Sequence, residues 1–138
     1  MSLYNDIRGA LVTKLAAVSG IPALADEGDT YSPVVGTPFV EYVNAPSQSR
    51  PVTMGGDHLK LHQGIFHVAV VYPTKSGIGA AETMADAIKE AFPVDISSIT
   101  QNSITVRIRY AERLGAITQT DWVRIPIEIK WYLYTEAY

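Results

Sequence analysis

The chain has 138 residues, 47% of them hydrophobic and 18% charged, with a formal net charge of −3 and no cysteine. That length suits one domain, residues 1–138, around a single sizeable core, and the composition lies well away from the low-hydrophobicity, high-charge region where chains stay disordered. The lack of cysteine excludes a disulfide framework, a thiolate zinc site and a cysteine nucleophile, and it suits a reducing cytosol. A slightly acidic chain has no general attraction to nucleic acid or anionic lipid, since both rest on clustered Lys and Arg. Asp6 precedes any basic residue, which argues against a secretory signal, and no apolar run reaches the ~18 residues that cross a bilayer.

Leu3, Ile7, Leu11, Leu15 and Val18 recur at near-helical spacing, with Ser2 as N-cap, Asp6 in the first turn and Gly20 past the end. This predicts an amphipathic helix from Leu3 to Ser19. From Ile21 to Pro38 the periodicity is lost among prolines and glycines, and the stretch, with its acidic Asp26-Glu27-Gly28-Asp29, reads as a long surface loop. Phe39 to Val43 has the β-branched and aromatic content of a strand, closed by the turn chemistry of Asn44-Ala45-Pro46-Ser47. Arg50 to Tyr72 reads as a projecting hairpin with Gly55-Gly56-Asp57 at its tip, because glycine accepts the positive φ that tight turns require. Its second limb ends in Ile65-Phe66-His67-Val68-Ala69-Val70-Val71-Tyr72, apolar on both faces apart from His67, which predicts a central strand covered on both sides.

Pro73 ends that strand and Ser76-Gly77 offers a cap. Ala81, Met84, Ala85, Ile88 and Phe92 then define one face of a second helix, opposite Glu82, Asp86, Lys89 and Glu90, and Pro93 stops it. Ile104, Val106, Ile108 and Tyr110 alternate with Thr105, Arg107 and Arg109, placing the basic residues on one face of a half-buried strand. Val123, Ile125, Ile127, Ile129, Trp131 and Leu133 alternate with Trp122, Arg124, Pro126, Glu128, Lys130, Tyr132 and Tyr134 in a long final strand. Pro126 lacks an amide donor and is expected at an unpaired edge position or a bulge. The fold class is therefore α+β: a mixed, mostly antiparallel sheet of four to five strands, two helices packed on one face, and a projecting β-hairpin. The other face carries a mixed charged and aromatic surface suited to a partner.

Residues with chemistry to offer do not converge. His58 and His62 lie roughly 13 Å apart along an extended limb, too far to share one ion, and no HExxH or Cys partner accompanies them or His67. Gly77-Ile78-Gly79 opens a helix after a strand as dinucleotide-binding turns do, but Glu82 stands where the third glycine belongs, and its carboxylate opposes a pyrophosphate. The acidic cluster lacks the spaced oxygens of an EF-hand, and no G-x-S-x-G elbow or paired carboxylates are present. The reading is a protein without cofactor, metal or catalytic residues.

Gly64-Ile65-Phe66-His67-Val68-Ala69-Val70, Tyr72-Pro73, Gly77-Ile78-Gly79, Ala85-Asp86-Ala87-Ile88 and Phe92-Pro93 occur in an order that resembles the phage tail terminator and minor tail protein U-like families. The resemblance extends to the N-terminal helix, Pro38-Phe39-Val40 and Trp122-Val123-Arg124-Ile125-Pro126-Ile127, so it spans almost the whole chain. It implies a non-enzymatic protein whose copies form a ring, commonly a hexamer, that caps the tail tube, stops its polymerisation and allows joining to head–tail connector proteins. It implies residence in the virion tail after assembly in the cytoplasm of the bacterial host. Another neck component of similar fold, or a small-ligand-binding domain, are the alternatives. No family residue transfers to this chain. The expected contacts with neighbouring subunits or the tube protein are therefore read from the chain: Arg50, Met54, His58 and Leu59 near the hairpin tip, and Arg107, Arg109, Lys130 and Tyr132 on the sheet.

Overall fold

A computed structural model describes residues 3–25, 37–47, 50–51, 59–74, 78–93, 98–101, 104–119 and 121–136. Two helices, α1 (Leu3–Ala16) and α2 (Ile78–Glu90), accompany strands β1 (Ala23–Ala25), β2 (Phe39–Pro46), β3 (Arg50–Pro51), β4 (Leu59–Pro73), β5 (Ser98–Gln101), β6 (Ile104–Arg113), β7 (Ile117–Thr118) and β8 (Trp122–Glu136). The strands form one open sheet in the order β1-β2-β4-β8-β6-β5, with β3 paired to β4 and β7 to β8. Every pairing is antiparallel except that of β1 with β2. The fold is thus the α+β class expected, with the short strands adding to the longer ones that alternation marks.

The two 15-residue strands β4 and β8 pair along their full length and form the spine. Ile125, Ile127, Ile129, Trp131 and Leu133 on one side of β8 meet Val68, Val70 and Phe66 of β4, and Ile7, Leu11 and Leu15 of α1 with Ala81, Ala85 and Ile88 of α2 close over them. Each large side chain fully buried here contributes about 1.5–3 kcal/mol relative to exposure. Both helices therefore seal one face of the sheet, the helical face. The second face is open.

Several local details differ from the sequence expectation for physical reasons. The first helix ends at Ala16; residues 17–20 continue as turns, and Gly20 takes a φ of 75°, the left-handed conformation that ends such a turn without Cβ strain. Part of the expected Ile21–Pro38 loop is β1, while residues 26–36, with the acidic cluster, lie outside the described residues. Strand β2 does not stop at Val43 but runs through the expected turn to Pro46, because β4 is long enough to offer Phe66, Ile65 and Gly64 as partners. Ser47 donates its amide to the Gln63 carbonyl at 2.7 Å, so by the alternation of an antiparallel ladder the missing N–H of Pro46 faces away from β4. The hairpin is present at its base, where Arg50 pairs with Leu61 and Pro51 with Lys60; its expected Gly55-Gly56-Asp57 tip lies outside the described residues, as does the Ser76-Gly77 cap of α2.

Pro126 lies in an interior strand, yet at a break in its pairing. Strand β6 pairs with β8 up to Ile127 and β7 resumes at Arg124, leaving only the Leu114 amide donating to the Pro126 carbonyl at 2.9 Å. The absent N–H faces that gap.

A bulge in β6 changes which residues share a face. Ile108 stands opposite Trp131 and Tyr110 opposite Lys130, so Arg109 is the extra residue. Two residues on the bulged strand then oppose one on its partner, and the alternation inverts beyond it. Tyr110, expected beside Val106 and Ile108, turns to the open face. Arg113 turns to the helical face, where its Nη2 donates to the Glu82 carboxylate of α2 at 3.0 Å.

Gly64 occupies a crossing point. A Cβ at this position would lie 2.6 Å from Cζ2 of Trp131, 2.7 Å from Cα of Pro46 and 2.8 Å from the Ala45 carbonyl oxygen. The indole of Trp131 passes over it from β8 to donate from Nε1 to the Asn44 side chain of β2 at 2.8 Å. A buried indole N–H requires such a partner, and only a residue without a side chain lets the ring reach it.

Candidate interaction surface

The open face divides into two ends. At one end Ala25, Phe39 and Val71 are buried with Trp122 packed against them, Phe39 and Trp122 meeting edge to face with centroids 5.7 Å apart. Arg124 of β8 forms an ion pair with Glu41 of β2 across the small Ala69 side of β4. This end is largely neutralised and partly self-covered. The central strand is thus covered on the helical face, whereas on the other it is buried here and again at Leu61 but left open between them at Ile65 and His67, less than its two-sided apolar pattern leads one to expect.

At the other end the residues anticipated on the sheet come together. Arg107 is the direct cross-strand neighbour of Tyr132. The Arg109 guanidinium carbon lies 4.6 Å from the Tyr132 ring centroid, a cation–π contact made possible because the bulge leans Arg109 over β8. Lys130 pairs with Tyr110, and Tyr132 meets Tyr134 edge to face at 6.0 Å. Arg107 and Arg109 are exposed, Lys130 and Tyr132 half-buried. Half-exposed aromatic rings beside fixed cations supply contact area with little side-chain entropy to lose, which is the composition of binding surfaces.

Of the residues anticipated near the hairpin, Arg50 is placed by its pairing with Leu61 and Leu59 by its pairing with Glu136, while Met54 and His58 lie outside the described residues. Tyr110, Tyr134, Glu112 and Glu128 belong to the open surface and were not singled out beforehand. For Tyr110 and Glu112 the reason is the bulge, which strict alternation conceals; for Glu128 and Tyr134, the sequence carries the signal in the alternation itself.

The histidines separate. His67 is exposed on the open face, but His62 is only 6% exposed. It faces the helices, its Nε2 2.8 Å from the Thr135 hydroxyl and its ring edge-on to Tyr4 at 6.0 Å. Burial, with a smaller contribution from the Lys60 charge, pushes its pKa below the ordinary histidine value. Among the described residues no group of three or more His, Cys, Asp or Glu is placed to hold a metal ion. Nor is any helix among them long and apolar enough to cross a membrane. Glu82, which occupies the third position of the glycine turn, is engaged by Arg113. A shallow cleft lined by Tyr4, Asn5, Arg8, Asn44 and Pro46 lies between the start of α1 and the end of β2, where Arg8 donates to the Asn5 side chain at 2.9 Å.

A sheet sealed on one face by two helices and largely uncovered on the other defines an α+β subunit, and solved structures share that fold. One superposes with a TM-score of 0.72 at 22% identity, covering 100% of this chain and 97% of its own. Another, a chain of the virion of a native gene transfer agent (GTA) particle, does so with a TM-score of 0.57 at 17% identity, covering 97% of this chain and 98% of its own. No curated protein matches. The chain belongs to the phage tail terminator protein family, whose model matches residues 6–131, and its role is a structural one in tail assembly.

Proposed function

We propose that copies of the protein close into a ring, a hexamer, on the end of the tail tube, stop its polymerisation and present a surface to the head–tail connector proteins. The protein acts by contact and not by catalysis, first in the cytoplasm of the bacterial host and then in the virion tail. The observation that carries this reading is the convergence of Arg107, Arg109, Lys130 and Tyr132 on the uncovered face of a sheet in a chain of the tail terminator family. A closed ring requires one patch to meet a different patch on the next subunit. The open face and the segment from Arg50 to Leu59, whose Arg50, Met54, His58 and Leu59 the sequence offers as contacts, supply two such patches, to a neighbouring subunit or to the tube protein.

Electron micrographs of a phage lacking the gene test the reading. Overlong tails, or tails without heads, are the expected outcome; tails of normal length joined to heads overturn it. Glutamate at both 107 and 130 is expected to reproduce the defect in a protein that still folds, and normal tails from that variant remove the sheet face from the proposal.

A further inference from the structure

Charge is ordered in rows across the open face. Val43, His67, Glu128 and Glu112 form one row at right angles to the strands, through β2, β4, β8 and β6. Glu128 and Glu112 are direct cross-strand neighbours, an arrangement that weakens a sheet, and among the described residues neither forms an ion pair. In the next row, about 7 Å along the strands, the sign reverses. Here stand Lys130 and Tyr110 with Arg109 of the bulge beside them, and Arg107 lies one row further, beside Tyr132. Arg109 rests on Tyr132, and neither Lys130 nor Arg107 has a carboxylate partner among the described residues. A negative row beside a positive row is complementary to itself once turned over.

We propose that the open face docks on the open face of a second copy, about a two-fold axis that lies in the interface and crosses the strands between the Glu128 and Lys130 rows. In this arrangement β8 lies over the second copy's β8, running the opposite way. Glu128 meets Lys130 of the second copy and, by symmetry, the reverse; Glu112 comes to the second copy's Tyr110 and Arg109. Elsewhere His67 falls opposite Ile65, Val43 opposite Ala45, and Tyr132 opposite Pro126, so like charge nowhere meets like. The contact covers two large hydrophobic side chains that are otherwise half exposed, Val43 at 50% and Tyr134 at 49%. Faces packed in this way lie ~10 Å apart, as in a sandwich of two sheets, and the same patch serves both partners, as an isologous contact requires. The pairing belongs to the free chain, and the same face is released to its ring or tube partner on assembly.

The test is the mass of the purified chain in solution, by sedimentation or light scattering. The unmodified chain is expected to be a dimer in low salt and to dissociate as salt rises from about 0.05 to about 0.5 M, because counter-ions screen the paired rows. Glu112→Lys with Glu128→Lys makes both rows positive, and Arg109→Glu with Lys130→Glu makes both negative. Each variant alone is expected to dimerise at least about tenfold more weakly. Mixed together, the two are expected to form a heterodimer, with circular dichroism confirming that each is folded. A monomeric unmodified chain at low salt, or a mixture that stays monomeric, overturns the pairing. So does sensitivity to the Arg109 and Lys130 variant alone, which indicates an acidic partner surface elsewhere. Should either variant fail to fold, the salt titration of the unmodified chain decides: a dimer indifferent to salt overturns the proposal. A six-subunit mass unaffected by either variant overturns it too, while leaving the ring intact.

Discussion

The two faces of the sheet are made from the same strands and differ in almost everything else. On the helical face Ile125, Ile127, Ile129 and Trp131 have no exposure at all, while their neighbours Arg124, Glu128, Lys130 and Tyr132 on the other face are half-buried. One face therefore holds the free energy of folding and the other holds the groups available to a partner. The separation follows from the period-2 geometry of a strand, which lets substitutions on one side leave the other nearly untouched.

Substitutions on the helical face should break the protein, and the largest effect is expected at Trp131. Trp131→Ala removes a fully buried ring together with its hydrogen bond to Asn44, so a loss of about 3–5 kcal/mol is expected in urea unfolding. Gly64→Ala comes next. Its Cβ would meet backbone atoms of β2 as well as the indole, and a loss of about 2–3 kcal/mol is expected, with tryptophan fluorescence reporting the displaced ring. Arg113→Ala is expected to cost no more than about 1 kcal/mol. The ion pair with Glu82 is partly exposed, and the arginine's Nε is buried without a hydrogen-bond partner among the described residues, which offsets part of the gain.

A titration sharpens the comparison further. Burial lowers the pKa of His62, so the unfolded chain takes up the proton before the folded one does. The contribution of His62 to stability is expected to be level well above pH 6.5, where both states carry a neutral ring, and to fall as the pH drops through that value. Urea midpoints measured at pH 7 and pH 5 should differ less in His62→Gln than in the unmodified chain, and an unchanged difference overturns the assignment. The smallest stability effects are expected on the open face: Arg107→Glu or Lys130→Glu should shift unfolding by no more than about 0.5 kcal/mol. A loss of several kcal/mol from either would mean that the open face also carries the fold.

Regular alternation made most of this architecture legible in advance. In β8, six apolar residues at every second position left no doubt about which side faced the core, and in α2 the Ala81, Met84, Ala85, Ile88 stripe did the same. What escaped was whatever a partner strand decides. Asn44-Ala45-Pro46 has turn residues but lies in a strand because β4 extends to meet it, and His62 is buried because α1 lies over its end of β4. The bulge at Arg109 leaves no mark in residue type, since arginine there completes a run of alternation that the backbone then interrupts. As for the surface, the clustering of Arg107, Arg109, Lys130 and Tyr132 followed from alternation, whereas the charge order in rows depends on the register between β6 and β8. No single strand contains that register.

Regular alternation brings an ambiguity that Gly64 removes. Sliding β8 by one residue against β4 would turn its apolar side chains to the open face, but sliding it by two would restore the same sides and satisfy the hydrophobic pattern equally well. Such a slip would set the indole against Phe66 or His62 instead of over the gap at Gly64. The missing side chain works as a notch that accepts the ring at one setting only. A subunit whose partners must find charges at fixed heights needs its strands indexed, and a single hydrogen atom in place of a methyl group does the indexing.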